Sequence, residues 1–599
     1  MAEETDFNEV LDNIFLSENT QCEQSYEEGY KVGSEAGNPE GYHLGYHRGA
    51  ELGRELGHYL GIVTYHIENQ NKPEIQYSEK IVKQLEKVKE LIETFPRENS
   101  EDQDILGLAE TIRAQYKKAS KTNMDNVSKL RHQLDGIITY LSPLLPLANC
   151  HMVEFFTHNH WENLLPPDLR KYLDDQEMND AVYQFWNCAK RKQDDSELAK
   201  WIHNCQSHCV SLSDDYCISR KQLQEKITSW GGDIKPEVRI KEFMTSKKSY
   251  EVQTMSHLVA SLFSASGSTH CVEAGGGRGH LPVALSLAYH LPSLTVDCDQ
   301  RTITNAENRV KIIQKQWHAI AKKIKDGSEE IISESINSNL HRFASTFITK
   351  DTDLAEIVRE KFPEHSNTDI KLLLTGLHTC GNLGPSSLRI LSSRSHVSAA
   401  LTVPCCYHLL HEGTDHHLVD VFQRNHGHVA TGHGFPMAEH LRGYSLGRNA
   451  RMLAAQSIDR VVHYEQLPDK SLLYRAMLQV IIKTHLTDLP LSEGKLKGVG
   501  SKCKDFKEYF RTADGLLKLG LYDNLPETYL SDLSENMHCQ WKKIVLFYLV
   551  RLCLAQVIES VILLDRLLYL YENGFEKVYL VKLFDPVLSP RCHAIVVVR

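Results

Sequence analysis

Residues 270–290 run HCVEAGGGRGHLPVALSLAYH, an apolar strand that breaks into glycine and resumes as an apolar helix. Such a strand–turn–helix opens a parallel, doubly wound sheet: the helix covers the sheet, and the glycines let backbone close on a ligand at the helix start. Glu273, Gly275, Gly277 and Gly279 make a Glu-x-Gly-x-Gly-x-Gly string. The next strand, SLTVDCD, is read as ending in Asp299, twenty-four residues after Gly275. Apolar runs at 341–349, 369–381 and 396–408 supply three more strands. After a long, mostly helical stretch, 575–585 and 591–599 read as a hairpin joined by PVLSP.

The glycine spacing departs from the Gly-x-Gly-x-x-Gly string that favours a pyrophosphate. An acidic residue ahead of the turn suits a ligand with a cationic amino-acid end, and one closing the next strand suits ribose hydroxyls. S-adenosylmethionine fits both, so Glu273, Gly275, Gly277, Gly279 and Asp299 are the expected cofactor-binding residues. A dinucleotide, or a fold without ligand, are the alternatives.

Ligands of such sheets sit at the carboxyl ends of the strands. GLHTCG and PCCYH fall there, bringing His378, Cys380, Cys405, Cys406, Tyr407 and His408 beside the glycine turn. Zinc usually takes four ligands in close Cys-x-x-Cys or His-x-x-x-His pairs, which are absent, so no metal is expected. A nucleophilic cysteine is a second reading. The favoured one is a methyl-acceptor pocket, with a histidine as base or orienting group. The expected catalytic residues are therefore His378, Cys405, Cys406, Tyr407 and His408. VPCCY keeps a proline and an aromatic but lacks the amide side chain common in enzymes that methylate base amines. His203, Cys205, His208, Cys209 and Cys217 form a second cluster, read as buried thiols and surface histidines rather than a metal site. Lys247-Lys248 and Arg191-Lys192 are candidate RNA phosphate contacts, although surface lysines are more often only solubilising.

From about residue 130 onward the sequence resembles the methyltransferase-like protein 25 family, in MTSKKSYEV, CVEAGGGRGHLPVAL, GLHTCGNLGPSSLRI, VPCCYHLL, GFPMAEHLRG and LFDPVLSPRC. More distantly, GLHTCG with CCYH is similar to the tRNA 2′-O-methyltransferases of the acceptor stem.

The first quarter of the chain is different. Residues 1–30 hold nine Asp or Glu and no Lys or Arg, as in a solvated tail. Glycine then recurs every fourth residue from Gly29 to Gly61, nine in register. On a helix this stripe drifts about 40° per step. Each interior glycine costs roughly 1 kcal/mol against alanine. The pattern therefore predicts two helices broken near Asn38-Pro39, their stripe packed closely on a soluble helical partner. Residues 8–122 resemble the Yae/Lto family, with the repeat followed by a helical hairpin carrying Leu85, Val88, Leu91 and Ile92. That resemblance implies an adaptor. It would form a heterodimer with a glycine-repeat partner and bring an ABC-type ribosome-recycling ATPase to the cytosolic iron–sulfur assembly machinery. The chain ends at Arg599, without the aromatic that the small family member uses to engage that machinery.

Net charge of −11 argues against a uniformly basic nucleic-acid coat. The start, MAEETDFNEV, predicts no secretory signal, and fifteen cysteines are read as reduced thiols, so a cytoplasmic protein with access to the nucleus is expected. The apolar stretch 544–570 carries Arg551, Glu559, Asp565 and Arg566 and reads as buried helix, with no membrane partner.

The expected fold is α/β: a class I SAM-methyltransferase doubly wound sheet with large helical insertions, preceded by an α-helical glycine-repeat hairpin domain. The expected parts are the glycine-repeat domain (1–122), a helical lobe (123–248), the SAM-binding core (249–436), a helical insertion (437–574) and closing strands (575–599). The expected function is methyl transfer to RNA or a translation component by a protein tethered through its adaptor. The alternative is a non-catalytic adaptor for iron–sulfur delivery that uses the methyltransferase fold as a scaffold.

Overall fold

The computed structural model describes residues 25–29, 31, 39–68, 79–96, 104–123, 126–190, 194–212, 214–242, 244–325, 340–365, 368–413, 434–486 and 493–599. The chain divides into two compact units, Met1–Asp125 and Asn126–Arg599.

In the first unit, helices span Pro39–Glu68, Glu79–Glu93 and Ile105–Asn123. Pro39 opens the long helix, where a missing N–H costs nothing. Leu56, Val63, Leu85, Val88, Ile92 and Ile112 form its small core. Arg113 grips Glu55 with two hydrogen bonds of 2.8 and 2.7 Å, and Tyr59 stacks on Tyr116 at 4.0 Å between centroids. Gly49, Gly53, Gly57 and Gly61 face away from this core: a Cβ at any of them would meet nothing within 4 Å. The acidic run before residue 25 lies outside the described residues.

The second unit is built on one eight-stranded sheet: β1 (Cys217–Ser219), β2 (His270–Ala274), β3 (Ser293–Asp297), β4 (His341–Ser345), β5 (Leu372–Cys380), β6 (Val397–Cys405), β7 (Lys577–Lys582) and β8 (His593–Val598). Their order across the sheet is β1-β7-β8-β6-β5-β2-β3-β4. Every pairing is parallel except those of β8, which runs antiparallel to both β6 and β7. The terminal hairpin therefore inserts β8 beside β6 and leaves β7 outside it. Strand β1, on the edge beside β7, falls in the segment read from sequence as a helical lobe; three residues are too few to show a period.

Both sheet faces are covered, as period-two burial requires. Leu372, Leu374, Ile595 and Val597 point into one apolar core, and Leu373, Ala594, Val596 and Val598 into the other. The helical stretch before β1 and the one inserted between β6 and β7 share the first core. Trp201 donates to the Val550 carbonyl at 3.0 Å, and Arg551 to the carbonyls of Leu147 and Ala148. Residues Trp541–Glu572 are long and apolar enough to cross a membrane by length and composition, but their most apolar window is 89% buried within the fold. Its buried acids are partnered. Asp565 accepts from the backbone N–H groups of Met437 and Ala438, and Glu559 pairs with Arg591 at 3.5 Å.

Candidate active site

The turn after β2 takes the conformation that its glycines permit. Gly275, Gly277 and Gly279 have φ of +68°, +52° and +64°, in the left-handed region that side chains rarely enter. A Cβ on Gly275 would lie 2.6 Å from Leu383, and one on Gly276 would lie 2.6 Å from the Glu273 carboxylate. At Gly277 there is room: among the described residues only the Asp297 carboxylate comes within 4 Å, at 3.9 Å. The helix His280–Ala288 begins at once, with Gly279 at its cap.

Glu273 is buried beneath this turn, and its Oε2 has no hydrogen-bond partner. Burial pushes its carboxyl up to about 8, against the pull of the Lys248 charge. Such a group is set to receive a donor, and a cationic one would restore its ionised form.

Strand β3 ends at Asp297, two residues before the end read from the sequence. Asp297 Oδ2 accepts from Gly277 N at 2.9 Å, and Oδ1 accepts from Asp299 N at 3.1 Å. Asp299 turns to the helix Gln300–Lys325, accepting from Arg301 N, Thr302 N and the Thr302 hydroxyl at 3.2, 3.2 and 2.6 Å. The Thr302 hydrogen bond in particular holds its carboxyl below the usual range. The two acids thus differ in role: Asp297 touches the glycine turn, and Asp299 caps a helix.

On β5, next to β2 in the sheet, His378 Nε2 lies 2.6 Å from Lys248 Nζ and 3.2 Å from Glu251 Oε2. Lys248 pairs with Glu251 at 2.9 Å, and the Ser589 hydroxyl donates to the other Glu251 oxygen at 2.8 Å. Burial would raise the Glu251 carboxyl, but the His378 and Lys248 hydrogen bonds and charges hold it well below the usual range. One imidazole nitrogen therefore sits between a cation and a carboxylate, a place where a proton can be held or passed. Glu251 and Ser589 were not among the sequence candidates. The signal available was Glu251 at helical spacing from Lys247 and Lys248. Because Lys248 is engaged with Glu251 and His378, its part as a free phosphate contact weakens; Arg191 and Lys192 lie outside the described residues.

Cys380 and Cys405 are register partners on β5 and β6, with sulfurs 3.0 Å apart. Cys406 follows in a left-handed conformation, φ 49° and ψ 50°. Hydrogen bonds with Cys380 and Cys405 hold its thiol low, while those with Cys380 and Cys406 push Cys405 up. His408 is half-buried, its Nδ1 enclosed and unpartnered. Tyr407 does not join this group. Its ring lies in the core, and its hydroxyl donates to Glu559 Oε1 at 2.7 Å. In the second cysteine cluster, Cys205 and Cys209 line a cavity of about 540 Å³ with Cys553, His208 stacks on Tyr140, and Cys217 lies in β1. Among the described residues, the group of thiols, imidazoles and carboxylates close enough to share an ion is Cys380, Cys405 and Cys406.

Residues 247–413, which hold this turn and both strand ends, match the family model described as a methyltransferase domain. The chain carries a methyltransferase domain. It is also similar to the human (Homo sapiens) protein named "Probable methyltransferase-like protein 25", 27% identical over 606 residues that cover 78% of this chain and 97% of that protein. The mouse (Mus musculus) protein of the same name is 27% identical over 601 residues, covering 78% and 96%. No solved structure matches. On the domain and these relatives the chain is of the methyltransferase enzyme class, for which S-adenosylmethionine is the usual methyl donor.

Proposed function

We propose that residues 126–599 bind S-adenosylmethionine at the β2 turn and methylate an acceptor hydroxyl in the crevice beside His378. The observation that carries this reading is the unpartnered Glu273 Oε2 under a left-handed glycine turn with open room at Gly277. When bound, the donor supplies an electrophilic methyl group. Glu273 would accept from its amino group, and the backbone at Gly277 would let it approach closely. Asp297, at the end of β3, takes the ribose role first read for Asp299. His378, poised by Lys248 and Glu251, would take the acceptor's proton, while Cys405, Cys406 and His408 shape the wall beyond it. The acceptor we favour is RNA, on the similarity of GLHTCG and CCYH to tRNA 2′-O-methyltransferases.

We further propose that the first unit is an adaptor acting in the cytoplasm, with access to the nucleus. Its outward glycine stripe would receive a glycine-repeat partner and link the chain to the recycling ATPase and iron–sulfur assembly.

Calorimetric titration of the full chain with S-adenosylmethionine tests the first proposal. One equivalent should bind to the natural chain. Gly277→Arg should bind none, with its unfolding transition retained. A natural chain that binds no donor, or a variant that binds as well, overturns the assignment.

A further inference from the structure

We infer that Cys380, Cys405 and Cys406 form a site for one thiophilic divalent cation, zinc by class, with His408 recruited to the fourth position on binding. The inference rests on these side chains and not on donor binding. The three sulfurs all lie within 4.8 Å of one another. Four-coordinate zinc with bonds of about 2.3 Å needs sulfurs about 3.8 Å apart, so the thiols need only small adjustments to surround an ion. Cys380 and Cys405 stand at 3.0 Å, too far for the about 2.0 Å of a disulfide.

The backbone supplies the second argument. Successive side chains on a strand point to opposite faces, so Cys405 and Cys406 could not meet at one point if β6 simply continued. The left-handed turn at Cys406 changes that course and brings its sulfur back to the other two. A residue other than glycine seldom takes this conformation, and it recurs where surroundings enforce it for function.

The charges agree. Three thiolates on a divalent cation leave a net charge of −1. Arg566 is buried, its Nε and Nη2 lack partners, and it lies close enough to Cys405 for their charges to interact. A buried, incompletely paired guanidinium is costly, and an anionic metal–thiolate group is a fitting counter-charge. His408 follows two residues after Cys406, and its enclosed Nδ1 has no hydrogen-bond partner. It does not lie within the 4.8 Å grouping of the three sulfurs, so it takes the fourth position only by turning toward them when the ion binds; that would give a Cys3His set, which zinc accepts in closed sites.

The sequence reading set zinc aside because no Cys-x-x-Cys pair is present. Adjacent strand ends supply the proximity that such a pair would otherwise provide.

The test is titration of the full, chelator-stripped chain with cobalt(II). One equivalent should bind, with a thiolate-to-cobalt charge-transfer band and the strong visible bands of tetrahedral coordination. Zinc should displace it. Cys405→Ser and Cys406→Ser should each weaken binding by at least about 100-fold, and His408→Ala should shift the visible bands. Zinc should also protect these three cysteines of the natural chain from alkylation mapped by mass spectrometry, a readout that needs no variant to fold. No charge-transfer band, a band that survives both serine changes, or equal alkylation with and without zinc overturns the site. Unchanged visible bands in His408→Ala overturn its place in the ligand set. Donor titration is measured separately, so either proposal can fail alone.

Discussion

Glycine is used in two opposite ways in this chain. In the turn after β2, the protein itself requires it: the backbone is left-handed, and added carbons at Gly275 and Gly276 would strike Leu383 and Glu273. Along the helix Pro39–Glu68, at Gly49, Gly53, Gly57 and Gly61, no described residue requires it. The space is open, and each glycine there weakens the helix. A glycine explained by its own fold marks a conformational need; one unexplained by it points to something outside the fold.

The largest expected break in this contrast is Gly275→Ala with Gly276→Ala. Left-handed strain and overpacking should together cost about 3 kcal/mol or more, read as a lower midpoint in urea unfolding. Loss below about 0.5 kcal/mol, the scale of ordinary surface changes, would show that the turn tolerates side chains.

Next come the two acids. Asp297→Ala should weaken S-adenosylmethionine binding about 10- to 100-fold, the worth of one or two charge-assisted hydrogen bonds. Asp299→Ala should cost about 1 kcal/mol of stability as a lost helix cap and leave donor affinity nearly unchanged. The reverse pattern in calorimetry would return the ribose role to Asp299.

A smaller effect follows from Glu273. Its folded value, about 8, lies above the usual 4.5. Its favourable contribution to folding is thus fully present below the unfolded value and is lost as pH rises through about 8. If the donor's ammonium engages the ionised carboxylate, binding should release a proton. Affinity should then rise several-fold per unit from pH 6 toward 8, and Glu273→Gln should remove that slope. Calorimetry in buffers of different ionisation enthalpy measures the proton; no release at pH 7 counts against the contact.

The smallest expected effect has the opposite sign. Gly53→Ala should stabilise the first unit by up to about 1 kcal/mol, because propensity improves and no contact is lost. Association with a glycine-repeat partner should fall in the same variant. A destabilised variant would mean the stripe is already packed.

Much of the fold was legible locally. Leu372 to Leu374 alternate between two cores, as a strand covered on both faces must, and the strand–glycine–helix order fixed where a ligand could enter. The strand end was not legible. Asp297 and Asp299 flank a single cysteine and look alike in sequence, but β3 stays paired with β4 through Asp297 opposite Ser345, and Asp299 already receives the Ile303 N–H of the following helix. Partner strands set where a ladder stops, and they come from distant sequence.

The sequence by itself determined the doubly wound sheet, the glycine turn with Glu273 beneath it and the helical character of the periodic glycines from Gly41 to Gly61, because each rests on backbone conformation and short-range burial period. Only the tertiary structure decided that β8 enters between β6 and β7, that Glu251, Lys248, His378 and Ser589 meet, and that Cys380 joins Cys405 and Cys406. Those juxtapositions depend on strand order and register, which hydrogen-bond ladders settle between segments tens to hundreds of residues apart.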